Sequence, residues 1–164
     1  MTPMVILGID PGLKTTGYGF IDFEDGRSAL LEAGIIEPNP KDFLPHKLTK
    51  VYQILDQLIG RHKPSVMVLE KLYAHYKHPA TAFVLGHVRG VICLLCAERN
   101  VTLIEQSVKR IRQTLTGYGS ASKQQTQRMV AHMLKIDEHK LTLDSSDALA
   151  LALGYVNLMR VRLP

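Results

Sequence analysis

The sequence predicts an α/β fold: a five-stranded mixed sheet, with three antiparallel strands followed by two parallel ones, flanked by helices. Three observations lead there. The N-terminal part holds three short apolar runs joined by turns too short for a crossover, so these strands must pair antiparallel. From Leu48 onward, stretches of helical periodicity alternate with compact Val- and Ile-rich runs, the pattern of strands linked by crossover helices. The last stretch, rich in alternating Ala and Leu after Asp147, is apolar almost all round, as suits a helix buried against a sheet.

In chain order, residues 5–9 are nearly continuous apolar and end at Asp10-Pro11-Gly12, which reads as a buried strand closing in a turn. Residues 17–22 and 29–36 follow as strands, with Asp25-Gly26 between them. Pro38, Pro40 and Pro45 mark a loop. Leu48, Val51, Tyr52, Leu55, Leu58 and Ile59 recur at helical spacing, with Gly60 as the expected stop. Residues 65–69 are again compact and apolar, which places Glu70 at the end of a central strand, where ligand sites of open α/β sheets lie. Pro79 is placed to open a long helix reaching about Glu98, with Gly90 inside it. Residues 101–104 are the fifth strand. Helices over 108–114 and 123–134 flank Gly117-Tyr118-Gly119, and Ser122 with Gln125 forms a capping-box pattern at the second start. The last helix begins near Asp144.

A chain of 164 residues lies in the usual range of one domain, so residues 1–164 are expected to form a single domain with one sizeable core. Cys93 and Cys96 sit in an apolar helical stretch, and no second Cys/His pair completes a zinc site, so they read as buried reduced thiols. No secretory signal and no apolar run of about 18 residues is evident, which predicts a soluble, cytoplasmic protein with no membrane association. The net charge of +5 favours a polyanionic partner such as nucleic acid.

Four acids stand where such a fold brings them toward one spot: Asp10, Glu70, Asp144 and Asp147. Taken singly, each has a plain structural reading. Asp-Pro-Gly is a common turn, and a helix-start acidic pair can serve capping and the helix dipole. Glu70 is harder to explain this way, because burying a lone carboxylate costs several kcal/mol. Together the four would repel strongly and shift each other's pKa unless divalent cations neutralised them. Carboxylate oxygens with open positions suit Mg²⁺, with Mn²⁺ as a substitute. Two such ions about 4 Å apart serve the attacking and leaving oxygens of a phosphodiester.

The motifs resemble those of RuvC-type Holliday junction resolvases, members of the ribonuclease H-like superfamily, over nearly the whole chain. The matching segments are Gly8-Ile9-Asp10-Pro11-Gly12 with Thr16-Gly17-Tyr18-Gly19, Leu69-Glu70, and Leu85-Gly86-His87-Val88-Arg89-Gly90. Gln113-Thr114-Leu115-Thr116-Gly117-Tyr118-Gly119-Ser120-Ala121 with Lys123 follows, and then the segment from Asp144 to Ala152. The resemblance implies a ribonuclease H-like fold in which Asp10, Glu70, Asp144 and Asp147 are metal-binding catalytic acids. It also implies a homodimer that resolves four-way DNA junctions by paired symmetric nicks, in recombination and repair, with a branch-migration complex as an expected partner. The helix from Pro79 to Glu98 is the expected dimer face.

Basic and aromatic groups accompany the acids. Tyr73 and Lys77 follow Glu70 in a loop suited to stacking on an unpaired base and holding phosphate. Tyr73 stands where similar resolvases usually carry Phe. Lys109, Arg110 and Arg112 precede the Gly-Tyr-Gly turn, and Lys123 opens the helix after it. A cation at a helix N-terminus opposes the dipole, which argues for work beyond structure at Lys123. By resemblance, Arg112 and Lys123 match basic residues near the scissile phosphate. Arg does not release its proton, so Lys123 is the expected aid to the leaving 3′ oxygen, giving a 5′-phosphate product. Rival readings are a YqgF-type nuclease acting on RNA, a non-catalytic junction-binding protein, and an actin-like ATPase, for which the second lobe is missing.

Overall fold

The computed structural model describes residues 3–71 and 79–161. One sheet contains β1 (Met4–Asp10), β2 (Thr16–Glu24), β3 (Arg27–Ile36), β4 (Val66–Glu70) and β5 (Thr102–Gln106), in the order β3-β2-β1-β4-β5. β2 pairs antiparallel with β1 and β3, while β4 pairs parallel with β1 and β5. This is the mixed sheet the sequence predicts. Its strands run longer than expected at several ends, and β5 is displaced toward Gln106.

α1 (Leu44–His62) and α2 (Pro79–Glu98) cover one face; α3 (Val108–Thr116), α4 (Lys123–Leu134) and α5 (Leu143–Val161) cover the other. Alternation along β1 feeds both layers. Ile6 packs with Leu149 and Leu151 of α5, whereas Leu7 and Ile9 pack with Leu55 of α1 and Ile92 of α2. A central strand covered on both faces has no polar side, so its sequence is a continuous apolar run.

α5 lies against β1 and β2 at unusually close range. A Cβ added to Gly8 would fall on the Ala148 carbonyl, and one added to Gly17 would fall on the Asp144 carbonyl. Gly17 is the partner of Asp10 in the β1–β2 ladder. The absent side chains therefore set the start of α5 over the end of β1. Thr142 holds that start: its Oγ1 accepts from the Ser145 N–H at 3.1 Å, and its carbonyl accepts from the Ser146 hydroxyl at 2.7 Å.

Four local expectations need correction. α1 does not stop at Gly60 but runs to His62, with Lys63 left-handed at φ 48°. The stop comes from Pro64, which disfavours helical backbone at the residue before it. Pro45 lies in the first turn of α1 rather than in a loop, where its missing N–H costs nothing. Cys96 is buried with its Sγ 3.3 Å from the Met67 Sδ, but Cys93 is exposed. The window Thr81–Glu98 of α2 is long and apolar enough by composition to cross a membrane. Val88, Ile92, Leu95 and Cys96 of that helix are buried in the sheet core, while Phe83, Cys93 and Leu94 on its other side are exposed.

The C-terminus of α1 is clasped to the sheet by Glu32 of β3. Its carboxylate meets Nε2 of His62 at 2.7 Å and accepts from Arg61 at 3.1 Å and from the Tyr18 hydroxyl at 3.2 Å. The His62 hydrogen bond is the main reason that Glu32 titrates below its ordinary 4.5; burial opposes it, and Tyr18 and Arg61 assist. A depressed carboxylate stabilises the fold above its unfolded pKa, and that contribution is lost as pH falls through the folded value. Glu32→Gln is expected to lower unfolding free energy by about 1 kcal/mol at neutral pH. The deficit should shrink at acid pH, as read from urea unfolding at both.

Candidate active site

Asp10, Glu70, Asp147, Arg112 and Lys123 line one cleft of about 160 Å³, floored by Ile111, Ala150 and Leu151. Each arrives on a different support. Asp10 ends β1, Glu70 ends the neighbouring parallel strand β4, and Asp147 lies one turn into α5. Parallel pairing of β1 and β4 puts both strand-end carboxylates at the same edge of the sheet. α5 then lowers Asp147 onto them through the close approach at Gly8 and Gly17.

Asp144 stands at the rim, facing a neighbouring groove lined by Gly12, Leu13, Lys14, Thr15 and residues of α2. Lys123 links it to the cleft. Its Nζ is 2.7 Å from Asp147 Oδ2 and 3.9 Å from Asp144 Oδ1. A capping box fixes the start of α4, with the Ser122 hydroxyl accepting from the Gln125 N–H and the Gln125 side chain accepting from the Ser122 N–H. Lys123 is thus anchored at its backbone despite opposing the helix dipole.

The carboxylates perturb one another as crowded charges should. Burial, then the charges of Asp147 and Glu70, push Asp10 up from 3.8 to about 7, with Lys123 opposing and Asp144 adding. Burial and Asp147 also raise Glu70, against the lowering effects of Arg112, Arg89 and Lys123. Burial alone would lower the Lys123 ammonium, but its hydrogen bond to Asp147 and the surrounding carboxylates outweigh that and raise it. Such a cluster of hard oxygens is short of positive charge. Among the described residues, no three His, Cys, Asp or Glu side chains already stand in ligating arrangement, and Lys123 reaches both Asp144 and Asp147.

The Nε of Arg112 is buried in the cleft wall and meets no hydrogen-bond partner among the described residues. A buried guanidinium donor with no acceptor suits an anionic ligand. Lys109 and Arg110 are exposed on α3 and do not line the cleft. Tyr73 and Lys77 lie outside the described residues.

One residue of the site was legible only as part of a motif. Arg89, on the inner side of α2, donates to the backbone carbonyl of Glu70 and to the carboxylate of Glu105, with its side chain 11% exposed. A charged residue on the inward face of an apolar helix must be paired, and that is the sequence signal for it. Arg89→Met keeps the apolar stem but releases the Glu70 strand end. It is expected to slow cleavage about 10- to 100-fold, since small misplacements of catalytic groups cost that much. Junction affinity in chelator should hold, and an affinity loss at unchanged single-turnover rate would refute the positioning role.

Strand order and helix layers are those of the ribonuclease H-like fold that the sequence predicts. Residues 6–155 match the sequence model of crossover junction endodeoxyribonuclease RuvC. The chain belongs to the RuvC family. It is 40% identical over 148 residues to the RuvC crossover junction endodeoxyribonuclease of Rhodopirellula baltica, covering 90% of this chain and 83% of that one. The Petrotoga mobilis relative of the same description is 39% identical over 157 residues, 96% of each chain. The structure of Thermus thermophilus RuvC in complex with Holliday junction substrate is similar in fold, with a TM-score of 0.87 at 22% identity and 97% of each chain covered.

Proposed function

We propose that this chain is a structure-selective endodeoxyribonuclease that resolves four-way DNA junctions by paired symmetric nicks in recombination and repair. The observation that carries the reading is the cleft in which Asp10, Glu70 and Asp147 meet Arg112 and Lys123, in a chain of the RuvC family. Residues 1–164 act as one catalytic domain, and its expected location is the cytoplasm, beside chromosomal DNA.

The donor set fits divalent cations. Hard carboxylate oxygens, with Asp10 and Glu70 raised by burial and by the neighbouring carboxylate of Asp147, suit Mg²⁺ or Mn²⁺. Asp10, Glu70, Asp144 and Asp147 would hold two ions per site. When bound, these supply Lewis-acid polarisation of the phosphate and acidification of water. The protein's own groups do the rest. The Arg112 guanidinium neutralises the scissile phosphate, and the Lys123 ammonium, presented at the cleft by α4, donates its proton to the leaving 3′ oxygen. The products are a 5′ phosphate and a 3′ hydroxyl.

Two opposed nicks need two such clefts. The exposed side of α2 suits a second copy of the chain: Phe83 is 75% exposed and Leu94 55%, and among the described residues nothing lies within 4 Å of a Cβ added at Gly86 or Gly90. Small residues between apolar ones let two helices approach closely, and an isologous pairing there buries the patch on both copies. A branch-migration complex is the expected partner assembly, and Tyr73 and Lys77 are assigned to DNA at the junction centre.

The test is incubation of the protein with a labelled four-way junction, linear duplex and structured RNA, each with Mg²⁺, with Mn²⁺ and with chelator. Symmetric, ligatable nicks in the junction alone, lost in chelator, are the expected result. Cleavage of the RNA instead would assign the chain to the YqgF-type reading, and binding without cleavage to a junction-binding module. Sedimentation at micromolar concentration should give a dimer.

A further inference from the structure

The segment between Glu105 and Asp137 contains no acidic residue, although it carries Lys109, Arg110, Arg112, Lys123, Arg128 and Lys135. It builds α3, the Gly117–Ser120 turn and α4. Arg112 and Lys123 face the cleft, but Arg128 does not. On the other side of α4, Gln125, Arg128, Met129 and His132 form a second groove of about 480 Å³ with Thr116, Tyr118, Ser120 and Ala121. The cleavage chemistry makes no use of it.

The groove presents its recognition groups outward. Tyr118 is 73% exposed, yet its backbone is fixed. Its N–H donates to Thr116 Oγ1 at 3.2 Å, and its carbonyl accepts from the Ala121 N–H at 3.2 Å. The ring is therefore held in solvent by an ordered turn. Arg128 is 72% exposed, and its one ion pair among the described residues is a 3.8 Å contact with Glu138. The stem of Lys109 lies against Gly119, which brings another cation to the same turn.

We infer that this groove is a second DNA contact, holding a duplex arm of the substrate outside the cleft. Arg128 and His132 face backbone phosphates, and the Tyr118 ring packs on a sugar or an exposed base edge. The inference rests on the nuclease reading of the cleft: a polymer whose scissile phosphate lies between Arg112 and Lys123 must continue past it. The same acid-free segment, two helices and the turn between them, forms one wall of the cleft and lines the groove, and its positive sign favours the same polyanion on both sides.

The test is junction affinity in chelator across a salt series, by fluorescence anisotropy. Arg128→Gln is expected to weaken binding about five-fold at moderate salt and to reduce the slope of log Kd against log salt by about one. Tyr118→Ala should weaken binding and leave the slope unchanged, because stacking releases no counterions. Lys50→Gln, a solvent-facing change on α1 across the sheet, should alter neither. All three sites are exposed, and unchanged melting temperatures confirm folding. The inference is overturned if Arg128→Gln and Tyr118→Ala bind as wild type, including when the groove proves to serve a protein, or if Lys50→Gln weakens binding as much as Arg128→Gln. Wild type that cuts junctions while both variants bind normally removes this groove alone. Wild type that neither binds nor cuts them removes the nuclease reading and this inference together.

Discussion

Asp10→Asn is expected to abolish junction cleavage and, without divalent cations at neutral pH, to raise the melting temperature. The first effect follows from the place of Asp10 at the strand end facing Glu70 and Asp147. On the proposed function Asp10 would hold a divalent cation, and losing its charge there would remove several kcal/mol of transition-state stabilisation, on the order of a thousand-fold or more in rate. Binding in chelator should persist, because it rests on basic groups. The second effect follows from the titration of Asp10, which burial and the charges of Asp147 and Glu70 raise from 3.8 to about 7. The folded state holds that proton more tightly than the unfolded chain, so the stability it contributes is full below the ordinary carboxylate range and is lost as pH rises toward 7. Asn has no such dependence. The variant should match wild type at acid pH and exceed it by on the order of 2 kcal/mol at neutral pH. Mg²⁺ or Mn²⁺ should then stabilise wild type more than the variant, reversing the gap. Unchanged cleavage, or a less stable variant in chelator at neutral pH, would sink the account of the site.

How far the sequence reveals this arrangement depends on the kind of physics behind each feature. Asp10 and Glu70 are legible because each follows an apolar run that can only be a covered strand, and the strand end fixes where the carboxylate stands. Asp144 and Asp147 are legible as a pair on one helix face, yet only Asp147 lines the cleft, since the rotation of α5 is set by packing over Gly8 and Gly17. The capping box at Ser122 was readable for the opposite reason: it is local, and both of its hydrogen bonds are present. Gly60 misled because a glycine signals a helix end only where the backbone takes the left-handed conformation, and here that residue is Lys63. α2 concealed its two faces because it is apolar on both, so periodicity could not separate the side buried under Ile92 from the side left open at Phe83 and Leu94. Arg89 breaks that pattern, but its targets, a main-chain carbonyl and Glu105, come from other strands.

Gly8→Ala is expected to dismantle the same site from a distance, by a single methyl group. The added Cβ would fall on the Ala148 carbonyl, with the Ala152 N only 3.1 Å away, and both are helix backbone that cannot rotate aside. Either α5 lifts off the sheet or β1 buckles. Lifting exposes Leu149 and Leu153, which are fully buried, and carries Asp147 away from Asp10 and Glu70. Overpacking of this kind reaches about 3 kcal/mol, a drop of roughly 6 to 12 °C in melting temperature for a chain of this size. Gly60→Ala is the matched control. It lies inside α1 with nothing among the described residues within 4 Å of an added Cβ, and there alanine lowers the cost of ordering the helix. That change should stabilise the protein by about 0.5 to 1 kcal/mol and leave cleavage intact. Thermal melts of the two variants beside wild type, with single-turnover cleavage of a four-way junction, separate the effects. A Gly8→Ala protein as stable and active as wild type would mean that α5 does not depend on contact with bare backbone, and that the convergence of the acids has another cause.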